Sequence, residues 1–156
     1  MVLHGHGLAE RQQRGPAAPC EEAICAVTFI RRYLCTACAA VMRVLPASAV
    51  ARKHFSGAAI ALAFALWGLC GKSAREVREQ VSDQKTIGAG ARGWRSLRRW
   101  AQEVTTGRLF AGLGLVGVAG GPRAVAGRAG QALAGWTAAA EASLEAAAFN
   151  GASHVS

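Results

Sequence analysis

The chain has 156 residues, 52% of them hydrophobic, and its 18 Lys and Arg against 9 Asp and Glu give a net charge of +9. Those figures allow one ordinary domain, or a small one with appendages, and they exclude an acidic disordered tail. A single aspartate, Asp83, argues against a catalytic centre of clustered carboxylates, and five cysteines, an odd number, exclude a fully paired disulfide framework.

The charge is uneven along the chain. Residues 1–53 carry +4, residues 54–108 carry +5, and residues 109–156, with Arg123 and Arg128 against Glu141 and Glu145, carry none. A positive field confined to the first two-thirds suits a polyanion, either nucleic acid or anionic lipid. The opening residues 1–7 lack the apolar core of a secretory signal. The longest apolar run, residues 57–69, falls short of the roughly 20 residues that a bilayer requires and reads as a buried helix. Free thiols fit a reducing compartment, so a soluble cytoplasmic protein is expected.

Residues 1–23 contain Gly5, Gly7, Gly15, Pro16 and Pro19 and read as loop. Residues 24–34, rich in β-branched and aromatic types, read as a strand with an irregularity, and residues 41–45 as a short return strand ended by Pro46. Ser56 is a helix N-cap, with Phe55 and Ile60 spaced as a hydrophobic staple. The helix it opens runs to about Cys70 and stops at Gly71; it is apolar on nearly every face, so neighbours must cover it. Cys70 on this helix reads as a core thiol. Ser73 and Glu76 form a capping box for a short helix over residues 74–81 with Val77 and Val81 on one face.

Residues 82–93 read as a polar, glycine-bearing loop. Gly88, Gly90 and Gly93 have dinucleotide-motif spacing but follow no strand, so they are taken as a connector. A third helix spans about residues 94–104. Its stripe of Trp94, Leu97, Ala101 and Val104, with Trp100 beside it, is apolar, while Arg95, Arg98, Arg99 and Gln102 recur on a largely opposite face. Guanidinium groups presented without acidic partners point to phosphate binding. A glycine-rich stretch then leads to an alanine-rich helix over residues 123–149, with Leu133, Trp136, Ala140, Leu144 and Ala148 as its stripe, read as a packing or self-association element.

Cys35-x-x-Cys38 at a strand end has the local shape of a zinc knuckle, and Zn2+ is the cofactor it would take. A structural site needs four ligands, and the upstream candidates are Cys20 and Cys25, or His4 and His6. The tight Gly71-Lys72 turn, the capped short helix and the arginine-faced third helix together suggest a helix-turn-helix, whose last helix reads the major groove. No Walker A sequence, nucleophile elbow or metal-holding carboxylate cluster is present, and no enzymatic activity is expected.

The order His-Gly at residues 4–7, Arg-Arg-Tyr-Leu-Cys-Thr-Ala-Cys at 31–38, an all-apolar helix, Ser-x-x-Glu-Val at 73–77 and Trp-x-x-Leu-x-x-Trp at 94–100 resembles a bacterial group. Its members are transposon-associated proteins with a zinc ribbon followed by a helix-turn-helix, similar to the N-terminal region of some insertion-sequence transposases. The resemblance covers about residues 3–108. It implies DNA as partner, Cys35 and Cys38 as the second zinc pair, and Arg95, Arg98 and Arg99 on the reading helix; the further partner expected is either a separate transposase or a second copy through helix 123–149. The group's first Cys-x-x-Cys has no counterpart here.

The expected fold is therefore mainly α. Residues 1–53 form a small, truncated zinc-ribbon-like β element, residues 54–108 a trihelical helix-turn-helix-like unit, and residues 109–156 a linker and an Ala-rich helix. DNA binding is assigned to Arg95, Ser96, Arg98, Arg99 and Gln102, flanked by Lys72, Arg75 and Arg92. Two other readings compete with this one: a small membrane-associated protein inserting residues 57–69 and 109–121, and a non-functional truncated remnant.

Overall fold

The computed structural model describes residues 2–46, 48–84, 93–137 and 143–155. Three strands, β1 (Leu3–Gly15), β2 (Ile24–Cys35) and β3 (Val41–Val44), form an antiparallel sheet in the order β1-β2-β3. The β-branched and aromatic content of β2 accounts for its extended backbone. β1 is polar and carries glycines, which is why it reads as loop. It becomes a strand because β2 offers it a ladder from Leu3↔Cys35 to Gly15↔Ile24. The irregularity expected in β2 lies in β1 instead: the register shifts between Gly5 and Leu8, where Gly7 takes a φ of +78° that other residues rarely adopt.

The end of β1 roots the sheet on the helices. The Arg14 amide donates to the His54 carbonyl at 2.6 Å, and the Ser56 amide donates to the Arg14 carbonyl at 3.0 Å. The Arg11 guanidinium donates to the carbonyls of Val50 and Lys53. Gly15 has φ +132° and lies so close to α1 that a Cβ there would come within 2.4 Å of the Ala59 methyl.

Ser56 caps α1 (Gly57–Phe64), its Oγ accepting from the Ala59 amide at 3.0 Å. The helix widens into a π-turn at Ala65–Leu69, in which the Cys70 amide donates to the Ala65 carbonyl at 3.0 Å, and the chain leaves through Gly71 at φ +73°. There follow α2 (Ala74–Val81), α3 (Arg95–Thr105), α4 (Pro122–Ala134) and α5 (Leu144–Gly151). Pro122 suits the first turn of α4, where its missing N–H would have no helical partner. α4 crosses the π-turn, α3 lies mainly on α4, and α5 packs on both α4 and α1. One core cluster runs from Ala59 to Val155.

The architecture is mixed α/β, not mainly α with a trihelical helix-turn-helix unit. The extra sheet comes from residues 3–15, which pair with β2 instead of forming a loop, and the trihelical unit does not stand alone because of the all-apolar surface of α1. Two short neighbours cannot cover a helix buried from Ala59 to Leu66, so α4 and α5 close over the faces that α2 and α3 leave. The single helix expected over residues 123–149 is likewise two helices. Gly135 ends α4, the Thr137 hydroxyl donates to the Ala147 carbonyl at 2.6 Å, and Ser143 caps α5 through the Ala146 amide. Leu133 and Ala148 of the expected stripe are buried, Trp136 and Leu144 are exposed, and Ala140 lies outside the described residues. Cys70 is exposed rather than a core thiol; its Sγ lies 3.6 Å from a Glu145 oxygen, and partial burial and then that carboxylate raise its pKa.

The capping box of α2 is complete: the Ser73 amide donates to Glu76 Oε2 at 2.7 Å and the Glu76 amide to Ser73 Oγ at 3.3 Å. The Ser73 hydrogen bonds hold the Glu76 carboxyl below its usual pKa. Because the folded value lies below the unfolded one, this stabilisation is complete above about pH 4.3 and is lost as pH falls through the folded pKa. Glu76→Gln is therefore expected to lower the urea midpoint at pH 7 and to have a diminishing effect toward pH 3. A deficit that does not vary with pH would count against the carboxylate as the capping group.

Candidate nucleic-acid interface

The site is organised by the two faces of α3. Leu97, Ala101 and Val104, spaced four and three apart, are buried with Trp100 alongside, and Trp94 at the head of the stripe is half-buried. Trp100 is held by an aromatic cluster: ring centroids lie 5.0 Å from Trp94 and 5.2 Å from Phe55, with Phe55 and Trp94 themselves 5.5 Å apart, all edge-to-face. This cluster joins Phe55, the residue before the α1 cap, to the start of α3 and fixes the rotation of α3 about its own axis.

That rotation turns Arg95, Arg98, Arg99 and Gln102 outward, all exposed, with Ser96 half-buried. Among the described residues no acid lies within ion-pair distance of Arg95, Arg98 or Arg99. The acid of α3, Glu103, is half-buried and bound to Lys53, so its charge is compensated on the inner side. The first turn of α3 has no side-chain cap and no acid, because the capping position is Trp94, whose ring belongs to the aromatic cluster. Two clefts flank the helix. One, of about 630 Å³, lies beside Arg95 and Ser96 and includes Arg78 of α2. The other, of about 370 Å³, runs between Arg98, Arg99 and Gln102 and the start of α4 at Pro122.

The remaining expected residues are not all gathered here. Lys72 is half-buried in a separate cleft whose lining also includes Glu21, Glu22, Glu79 and Glu145. Arg75 is exposed and paired with Glu79 at 2.8 Å, an i, i+4 pair along α2. Arg92 lies outside the described residues, as do Gly88 and Gly90. One residue that sequence reasoning passed over joins the site: Arg78, half-buried beside Arg95, whose Nε is buried without a hydrogen-bond partner. Its signal was present, since it follows Val77 and so borders the apolar face of α2 that turns inward.

Cys35 and Cys38 stand at the far end of the sheet. Cys35 is buried and Cys38 exposed, in a turn closed by Ala39 at φ +56°. The backbone amides of Cys38 and Ala37, and then the Cys38 thiol, hydrogen-bond the Cys35 sulfur and lower its pKa. That arrangement favours a thiolate, the metal-binding form of cysteine. Cys25 cannot complete a site with this pair, because it lies ten residues away on the same strand, about 33 Å at strand rise, and Cys20 lies beyond it. His4 pairs with Leu34 and so belongs to the sheet face opposite Cys35. Among the described residues no group of three or more His, Cys, Asp and Glu could hold a metal ion. Two donors do not make the four-ligand structural site that zinc requires. No family model, curated protein or solved structure matches the chain.

Proposed function

We propose that the protein is a DNA-binding module of a mobile element, without catalytic activity of its own, that sets the outward face of α3 against the phosphates and base edges of DNA. The observation that carries the reading is the pairing of three exposed, uncompensated guanidinium groups with a backing locked by Trp100. Arginine suits both tasks. Its planar fork binds a phosphate or a guanine edge through two parallel hydrogen bonds, and it stays charged at any working pH. A rigid backing keeps the three groups in fixed register, so less side-chain and helix ordering remains to be done on binding. Gln102 and Ser96 extend the same surface with neutral donors and acceptors. The resemblance to transposon-associated proteins supports the mobile-element context, in which a separate transposase is the natural partner. Zinc, in this reading, would take Cys35 and Cys38 as two of its ligands and would need a second molecule to complete the set, since the residues not described add only the Glu141 carboxylate.

The membrane reading is not favoured by the packing. Residues 59–66 of the first apolar run, and Leu109 and Phe110 of the second, belong to the core, and no helix among the described residues is long and apolar enough to cross a membrane.

The test is a fluorescence anisotropy titration of a labelled DNA duplex at several salt concentrations. Neutralising three phosphates predicts a slope of log affinity against log salt of about −2.7, which is about a 40-fold loss between 50 and 200 mM. Affinity insensitive to salt, or no binding at the lowest salt, would sink the proposal.

A further inference from the structure

Successive strand residues alternate between the two faces of the sheet. One face carries Arg11, Arg32 and Arg43 and buries Ile30; Arg11 and Gln13 hydrogen-bond from it to the carbonyls of residues 48–53. On the other face Phe29 is 61% exposed, Leu8 and Val44 57% each, and Val27 54%. The register sets Leu8 and Val44 on either side of Arg31 and Phe29 diagonal to both, with Val27 next along β2 and Leu3 and Met42 continuing the patch toward the Cys35 end. An exposed apolar patch on a chain of net charge +9 marks an interaction surface.

We infer that this face is where a second copy of the chain docks, sheet on sheet, to form a two-fold dimer. Charge selects this occupant. The molecule carries +9, so two copies repel each other over most of their surfaces. The face itself is neutral: it bears one acid, Glu10, and one free base, Arg31, since Arg14 at its margin pairs with Asp83 at 3.9 Å.

The placement of the two charges is self-complementary. Glu10 lies opposite Phe29 and Leu8 lies opposite Arg31, so the four make a square with the charges on one diagonal and the apolar side chains on the other. A two-fold axis along the Leu8–Phe29 diagonal lays each Glu10 over the partner's Arg31. The strands then cross nearer to the orthogonal than to the aligned mode of sheet packing. Strand rise and spacing give the face roughly 450 Å² in plan, which places the dimer at the small, weak end of specific interfaces. The basic faces of the two sheets would then point outward.

Sedimentation equilibrium of the full chain in 0.3 M salt tests this without DNA and independently of the proposed function. The wild type is expected to shift from monomer to dimer across about 1–100 µM. Phe29→Glu, at an exposed site, is expected to keep the circular dichroism spectrum and to abolish the dimer. Glu10→Arg and Arg31→Glu are each expected to weaken it at least tenfold, and the double swap to restore it. A wild type that stays monomeric throughout, which would leave the face to a different occupant, overturns the inference. So does a dimer indifferent to Phe29→Glu, or a double swap no better than its single parents.

Discussion

Replacing Arg95, Arg98 and Arg99 together by alanine is expected to weaken DNA binding about 100-fold at moderate salt and to remove nearly all of its salt dependence. Each contact of this kind contributes about 1 kcal/mol or more, so three give at least about 3 kcal/mol. Losing three neutralised phosphates flattens the log–log salt slope by about 2.7. The fold should not suffer. The three side chains are exposed and make no ion pair with a described acid, and alanine is the best helix former. Arg75→Ala serves as the control, because Glu79 already compensates that guanidinium, and it should change affinity less than twofold. Unchanged binding by the triple variant, measured by anisotropy with its thermal unfolding intact, would show that α3 does not face the DNA.

The second large effect is on stability. Gly68→Ala is expected to destabilise the protein by about 3 kcal/mol or more, a substantial fraction of the margin of a domain this size. A Cβ at Gly68 would stand 2.2 Å from the Gly127 amide nitrogen and 2.4 Å from its Cα, and neither is a side chain that can swing away. The π-turn and α4 must separate to admit it, and that opens the core around Ala65 and Ala126. The same crossing explains Gly130, where a Cβ would lie 3.1 Å from the Ala65 backbone. Gly5→Ala, with nothing within 4 Å, should stay within about 0.5 kcal/mol in the same urea titration. Equal midpoints for Gly68→Ala and wild type would mean that this helix crossing is not as close as described.

The glycines also show where sequence reasoning reached its limit. On one chain Gly127 and Gly130 look like weaknesses in an alanine-rich helix, since glycine is a poor helix former. They are the surface on which α4 meets the π-turn, a relation between residues about sixty positions apart that no local pattern records. β1 escaped notice for a related reason: its extended state is supplied by hydrogen bonds to β2, not by its own composition.

What the sequence determined by itself is local. Ser56 and Ser73 as caps, the stop at Gly71, the bounds of α2, and the buried stripe opposite the arginines of α3 all follow from side chains acting within one turn of their own backbone. Tertiary structure alone decided that α1 is enclosed by α4 and α5, that α4 and α5 pack on each other, that Lys72 shares its cleft with acids, and that one side of the sheet is left bare. Those outcomes depend on which apolar surfaces find each other across the chain. The hydrophobic effect that drives them has no direction, so only the packed arrangement shows how the faces pair.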